Sequence, residues 1–210
     1  MTMIERQLDD EGNTVSCDFD PNELLNFRLT IKGCNNSIVF KSRPLLHGNL
    51  VIYINADNCE VVLGENITCQ KNLFISLLPS GKGRHSRQLK CSIGNNTTFN
   101  GLVSIVLAEE NNEIQIGENC LFADNISIST SDSHRIFSIK TGDRINKAQS
   151  VFIGHHVWVG ENVKILKGSM ILNDSIVAMG SIVTRKFEYG NVVLAGVPAK
   201  IVRSEVNWDY

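Results

Sequence analysis

The sequence predicts an all-β solenoid, a parallel β-helix, and three observations carry that prediction. Residues 153–184 divide into sixes: IGHHVW, VGENVK, ILKGSM, ILNDSI, VAMGSI and VT. The first place of each is a branched aliphatic (Ile153, Val159, Ile165, Ile171, Val177, Val183), and the fifth is small or β-branched (Val157, Val163, Ser169, Ser175, Ser181). The same phrase recurs upstream, as LGENIT and CQKNLF from Leu63, IGNNTT and FNGLVS from Ile93, and IGENCL and FADNIS from Ile116. The third observation is composition. Hydrophobic residues make up 42% of 210, yet only 7% are aromatic and 4 are proline, so the interior must be built from small and branched aliphatics.

A period of six is not helical, because an apolar helix face returns every three or four residues. A single long strand would alternate with period two. A short strand plus a corner does fit. The first and fifth side chains then point to one interior, and Gly, Asn or Asp makes the bend. Stacking such units places like side chains over like and pairs each strand with the coil above and below.

Taken from the N-terminus, MTMIERQLDDEGNT is charged and lacks an apolar core, which argues against a secretory signal. Residues 1–28, with PNELLNFR as a short helix, are expected to cap the open end of the core. The echoes NNSIVFK, CEVVLGE and NEIQIGE, from Asn35, Cys59 and Asn112, place the solenoid over 29–185. At roughly 18 residues per three-sided coil this allows about seven coils. Two stretches break the repeat and are expected to protrude. One is 76–92, which contains SLLPSGKGRHSRQLK; the other is 129–150, which begins with STSDSHRIF. Residues 186–210 form a tail whose SEVNWDY end is expected to pack on the last coils.

Several classes are disfavoured. A formal charge of −2 with no basic stripe argues against nucleic acid. No apolar run approaches the roughly 20 residues of a membrane-spanning helix. Cys17, Cys34, Cys59, Cys69, Cys91 and Cys120 are scattered with no CxxC pair, which reads as reduced thiols in the cytoplasm. Cys69 and Cys120 fall at inward places, where a thiol is inert rather than nucleophilic. The histidines (His47, His85, His134, His155, His156) form no H-x4-H pair, so the zinc site of γ-type carbonic anhydrases, which share this architecture, is not expected, and no metal is predicted.

The phrases IGENCLFADNISISTSDSH, VFIGHHVWVGENVKILKG and VVLAGVPAKIVR carry a specific resemblance. From Ile116 to Arg203 the chain resembles the hexapeptide-repeat acyltransferases, and among them the polysaccharide and capsule O-acetyltransferases, including those that modify sialic acid polymers. The resemblance implies a left-handed parallel β-helix, although the usual crossover rule would give the opposite hand. It also implies a homotrimer with sites between subunits, acetyl-CoA as donor and a saccharide acceptor.

Moving an acetyl group from a thioester to a sugar hydroxyl requires a base for the hydroxyl proton, donors for the tetrahedral oxyanion, and a track for the pantetheine arm. Imidazole titrates near neutral pH and suits the first task. By resemblance His134 is this base, and Asp132 or Ser133 orients its ring or meets substrate. The family's oxyanion donor is a backbone amide matching Glu161, and the amides around Ala178 and Met179 match those that follow the arm. Trp158 occupies an outward sixth place. An outward Trp needs a ligand or a subunit to cover it, and in similar enzymes it serves the site. Thr184, Arg185, Lys186, Lys200 and Arg203 are expected near the coenzyme's phosphates. Arg84 and Arg87, in the basic 76–92 stretch, would meet an anionic acceptor. Acetylation of a small molecule (a free sugar, an antibiotic, serine or a nucleotide-linked amino sugar) is the alternative, and a non-catalytic scaffold is the remaining one.

Overall fold

The computed structural model describes residues 4–79, 81 and 85–209. The described chain winds around a triangular prism whose three faces are sheets of eight, eight and seven strands, parallel except for one antiparallel edge strand on each of the first two. Each coil crosses the first face, then the second, then the third. One complete turn is Glu60–Leu63, Thr68–Cys69 and Leu73–Leu78. The next is Lys90–Ile93, Thr98–Phe99 and Val103–Ala108, in parallel register with the first. The seven strands of the third face mark seven coils of a left-handed parallel β-helix.

The sixfold spacing works as a plumb line. Ile153, Val159, Ile165, Ile171, Val177 and Val183 are all buried, and so are Val157, Val163, Ser169, Ser175 and Ser181. The buried serines are satisfied by backbone: Ser169 Oγ donates to the Val183 carbonyl at 3.1 Å, and Ser181 Oγ accepts from the Gly196 N–H at 3.2 Å. On the second face Cys69, Phe99, Phe122 and Val159 form one inward column, with the two phenyl rings stacked at 5.0 Å.

The corner between the first and second faces explains the recurring IGEN phrase. Gly64, Gly94 and Gly117 lie so close to the coil above that a Cβ on each would sit 2.5–2.7 Å from its backbone. Two residues on, Asn66, Asn96 and Asn119 take positive φ of 55–56°, as does His156 at 53°. Asn tolerates that conformation, and the stacked amides bond to one another: Asn66 to Asn96 at 2.9 Å, Asn96 to Asn119 at 3.2 Å.

Four features differ from the sequence reading. The coil starts before Leu29, because Thr14–Cys17 already pairs in parallel with Ser37–Phe40, while Ile4–Gln7 folds back antiparallel on it. Of PNELLNFR only Pro21–Glu23 is helical, a single 3-10 turn capped by Asp20. The first excursion is narrower than 76–92, since Leu73–Leu78 and Lys90–Ile93 keep their inward–outward alternation into both its ends. Beyond 186 the chain is still solenoid. Phe187 is buried, Val192–Gly196 extends the second face in parallel, and Ala199–Ser204 turns back antiparallel to close its edge.

Phe122 is fully buried in the middle of the stack. Phe122→Ala should therefore cost about 3–5 kcal/mol in urea unfolding. A loss under about 1 kcal/mol would mean that the columns close around a cavity and are not tightly packed.

Candidate active site

Both excursions leave the prism at the corner between the third and first faces. The longer one, 130–150, follows Ile126–Ser129 and returns at Val151–Ile153. It has no regular hydrogen-bond ladder of its own and is latched to the corners below and above. From below, Glu109 receives the Arg144 guanidinium through both carboxylate oxygens, at 2.6 and 2.7 Å, and Ser131 Oγ at 2.9 Å. Both side chains of this ion pair are only about 15% exposed. The Arg144 hydrogen bonds hold the Glu109 carboxyl below its ordinary value against the opposing effect of burial. From above, Lys167 Nζ meets Asp132 Oδ2, and that bond lowers the Asp132 carboxyl in the same way.

His134 stands exposed on this loop. Its backbone is fixed at both ends: the N–H donates to the Asp132 carbonyl at 2.7 Å, and its own carbonyl accepts from Asn146 Nδ2 at 2.7 Å. Among the described residues its ring has no hydrogen-bond partner in the chain. Neither residue expected to orient that ring hydrogen-bonds to it. The Asp132 carboxylate is taken by Lys167 and Asn146, and Ser133, at φ 63°, donates its N–H to Ser131 Oγ at 3.1 Å. Their observed part is to shape the loop. Sequence reasoning missed Glu109, Arg144, Asn146 and Lys167 because the repeat does not mark them, Lys167 taking a variable place in its hexapeptide, and each acts across the fold.

Trp158 lies outward on the second face, 40% exposed. Trp208 from the tail comes to 6.1 Å from it, stacks on His156 at 4.4 Å and donates its indole N–H to the His156 carbonyl at 2.9 Å. His156 is thus half-covered, and its Nδ1 pairs with Asp174 at 2.9 Å. Below the two indoles runs a groove of ≈ 600 Å³ lined by Thr68, Gln70, Thr98, Asn100 and Leu121, among others.

The amides expected to serve the donor lie at the corner between the second and third faces. Glu161 follows Gly160, whose N–H is used by the Val177 carbonyl; the Glu161 N–H itself has no acceptor in the chain among the described residues. One coil on, the Ala178 N–H is consumed by the Leu194 carbonyl at 2.8 Å, which leaves the Met179 amide open. Met179 is 68% exposed. Of the pair Ala178 and Met179, then, only the latter can donate to a ligand. The C-terminal cations fall into two groups. Thr184, Arg185 and Lys186 lie at the third–first corner, with Arg185 over the Phe187 ring at 5.1 Å; Lys200 and Arg203 lie on the exposed edge strand Ala199–Ser204. Arg87 faces the Glu110 carboxylate at 3.6 Å and is not a free cation, while Arg84 lies outside the described residues.

A triangular prism sets each corner opposite a face. His134 therefore stands across the molecule from Trp158, and one chain does not bring the two together. Burial raises the Cys69 and Cys91 thiols to about 12 and Cys120 to about 11, so they do not offer a nucleophile in their place. Among the described residues no cluster of three or more His, Cys, Asp or Glu is arranged to hold a metal ion.

No family model matches the chain. It is 34% identical over 188 residues to the polysialic acid O-acetyltransferase of Neisseria meningitidis, covering 86% of this chain and 79% of that one. It is also 34% identical over 115 residues to the galactoside O-acetyltransferase of Escherichia coli K12, covering 55% and 54%. The crystal structure of the polysialic acid-specific acetyltransferase NeuO superimposes with a TM-score of 0.76 at 28% identity, over 95% of this chain and 79% of that one. The polysialic acid O-acetyltransferase OatWY gives 0.56 at 31%, over 89% of both. The coils, the loop that interrupts them and these relatives agree: the chain is an acyltransferase and belongs to the hexapeptide-repeat O-acetyltransferases.

Proposed function

We propose that this enzyme transfers the acetyl group of acetyl-CoA to a hydroxyl of an anionic capsular or surface polysaccharide, a sialic acid polymer above all, with His134 as general base. The observation that carries the reading is a division of labour. The side chains of Asp132, Arg144 and Asn146 are committed to holding the loop, while the imidazole has no hydrogen-bond partner among the described residues. In the reaction the ring takes the proton of the acceptor hydroxyl as that oxygen attacks the thioester carbonyl. The oxyanion accepts from the open Glu161 N–H, and the intermediate collapses by expelling the CoA thiolate, which recovers the proton from the imidazolium. Met179 lends its open amide to the pantetheine arm, and Lys200 and Arg203 or Arg185 and Lys186 meet the phosphates. Arg135, Lys140 and Lys147 are exposed on the His134 loop, and no described carboxylate pairs with them. That charge suits a carboxylated acceptor better than a neutral one.

A complete site takes two copies. The base is on one corner, while Trp158 and the open amides lie on the far face and far corner, so the loop of one subunit must reach the second face of its neighbour. The loop carries its own covering for such a joint, with Ile136, Phe137, Ile139 and Ile145 all at least half exposed. A cyclic homotrimer closes three such joints with three equivalent sites. No described helix is long and apolar enough to cross a membrane, and all six thiols are free, so we place the reaction in the cytoplasm.

His134→Ala should lower kcat at least about 100-fold in an assay of CoA thiol release with a sialic acid polymer as acceptor; retained turnover would refute the base. Co-refolding His134→Ala with Trp158→Ala, each slow alone, should restore about a quarter of wild-type activity, because a mixed trimer assembles sites from one good loop and one good face. A mixture as inactive as its parts would place the whole site within one chain. The loop should also respond to acid. Glu109 and Asp132 have carboxyls depressed on folding, so their stabilisation is present above the unfolded value of about 4 and is lost as pH falls through the lower folded values. Hydrogen exchange of 130–150 should accordingly stay slow from neutrality to about pH 4 and rise below it, ahead of the coils.

A further inference from the structure

Asn146 is the hub of the loop, though nothing in the repeat or the motifs points to it. It is 7% exposed, and all four hydrogen-bonding places of its amide are filled. Nδ2 donates to Asp132 Oδ2 at 2.8 Å and to the His134 carbonyl at 2.7 Å. Oδ1 accepts from the Ile136 N–H at 2.7 Å and from Arg144 Nε at 3.4 Å. Two partners can only accept and two can only donate, so the amide fits one way round. Arg144 reinforces it by donating Nη2 to the Asn146 carbonyl at 3.1 Å while its fork stays on Glu109. One side chain thus ties together Asp132, His134 and Ile136, the residues on and to either side of the proposed base. It refers them to Glu109 on the coil below and, through Asp132, to Lys167 above.

We propose that Asn146, clamped by the Glu109–Arg144 pair, is a positioning residue that sets the His134 backbone, and through it the imidazole, against the acceptor hydroxyl. The inference rests on the reading of His134 as base. The ring has no hydrogen-bond partner among the described residues, so its aim is inherited from the backbone, and the backbone is held by Asn146. A displacement of about 1 Å in such an arrangement costs on the order of 100-fold.

The test is a double-mutant cycle on the full-length enzyme, with acetyl-CoA and a sialic acid polymer, read as kcat and KM. Asn146→Ala should lower kcat roughly 10- to 100-fold and leave KM for acetyl-CoA within about 3-fold. Added to His134→Ala it should cost less than about 2-fold more, because there is no longer a base to position. Asn146→Asp keeps the acceptor and loses both donors, and should be about as slow as Asn146→Ala. Arg144→Lys keeps the charge pair but not the Nε bond, and should fall in between. Calorimetric binding of acetyl-CoA shows that each variant is folded. Unchanged kcat in Asn146→Ala overturns the positioning role, and so does an equal loss in both backgrounds. Full turnover in His134→Ala overturns the base and the positioning role with it. Loss in His134→Ala alone removes only the role of Asn146.

Discussion

Everything in this molecule depends on the distance between one coil and the next. Parallel strands in register hold their backbones about 4.8 Å apart, and the corners must keep that spacing where there is no room for side chains. Gly64, Gly94 and Gly117 meet the demand by having no Cβ to drive into the coil above. Asn66, Asn96 and Asn119 meet it by turning the chain at positive φ and bonding up the stack. With the spacing fixed, inward side chains fall into columns, and a column of Val, Ile and Phe excludes water along the whole prism.

The same regularity limits what the prism can do. Its faces are flat, its interior is full, and no coil can move a side chain forward without breaking register. Chemistry therefore has to be added at a corner. The chain leaves for 130–150 between the third and first faces, then rejoins the stack with Val151–Ile153 in register on Glu113–Ile116 as though nothing had intervened. The cost is a loop with no ladder of its own, and Glu109–Arg144 and Asp132–Lys167 replace what the ladder would have supplied. The first of these pairs is shielded from solvent and bidentate, the geometry in which an ion pair holds position best.

The fold was legible in the sequence because each coil repeats the same solution, so Ile153 to Val183 announce their burial by spacing alone. The proposed site was legible only where a residue resembles something known. DSH pointed to His134, and VWVGE to Trp158 and Glu161. The partners were not legible. Arg144 finds Glu109 across 35 residues and Lys167 finds Asp132 across the same separation, contacts made by coils lying above and below one another. The period predicts which coils are neighbours, yet it does not say which polar side chain of a loop will reach back to them. Nor could spacing show that the Ala178 amide is spent on Leu194 while that of Met179 is open, because the coil above Ala178 lies past 186, where the sequence suggested only a tail.

The division between rigid prism and latched loop also bears on how acceptor choice can change in this family. The proposed donor features, the open amides of Glu161 and Met179, are backbone groups on packed corners, and substitution can hardly alter them while the coils keep their spacing. In the proposed mechanism the acceptor, by contrast, meets Arg135, Lys140 and Lys147 on the loop, exposed side chains with no structural partner among the described residues. Exchanging them leaves the columns untouched and leaves Asn146 its four bonds. On that proposal the acceptor can change by altering the charge of the loop while the latches beneath keep His134 in place.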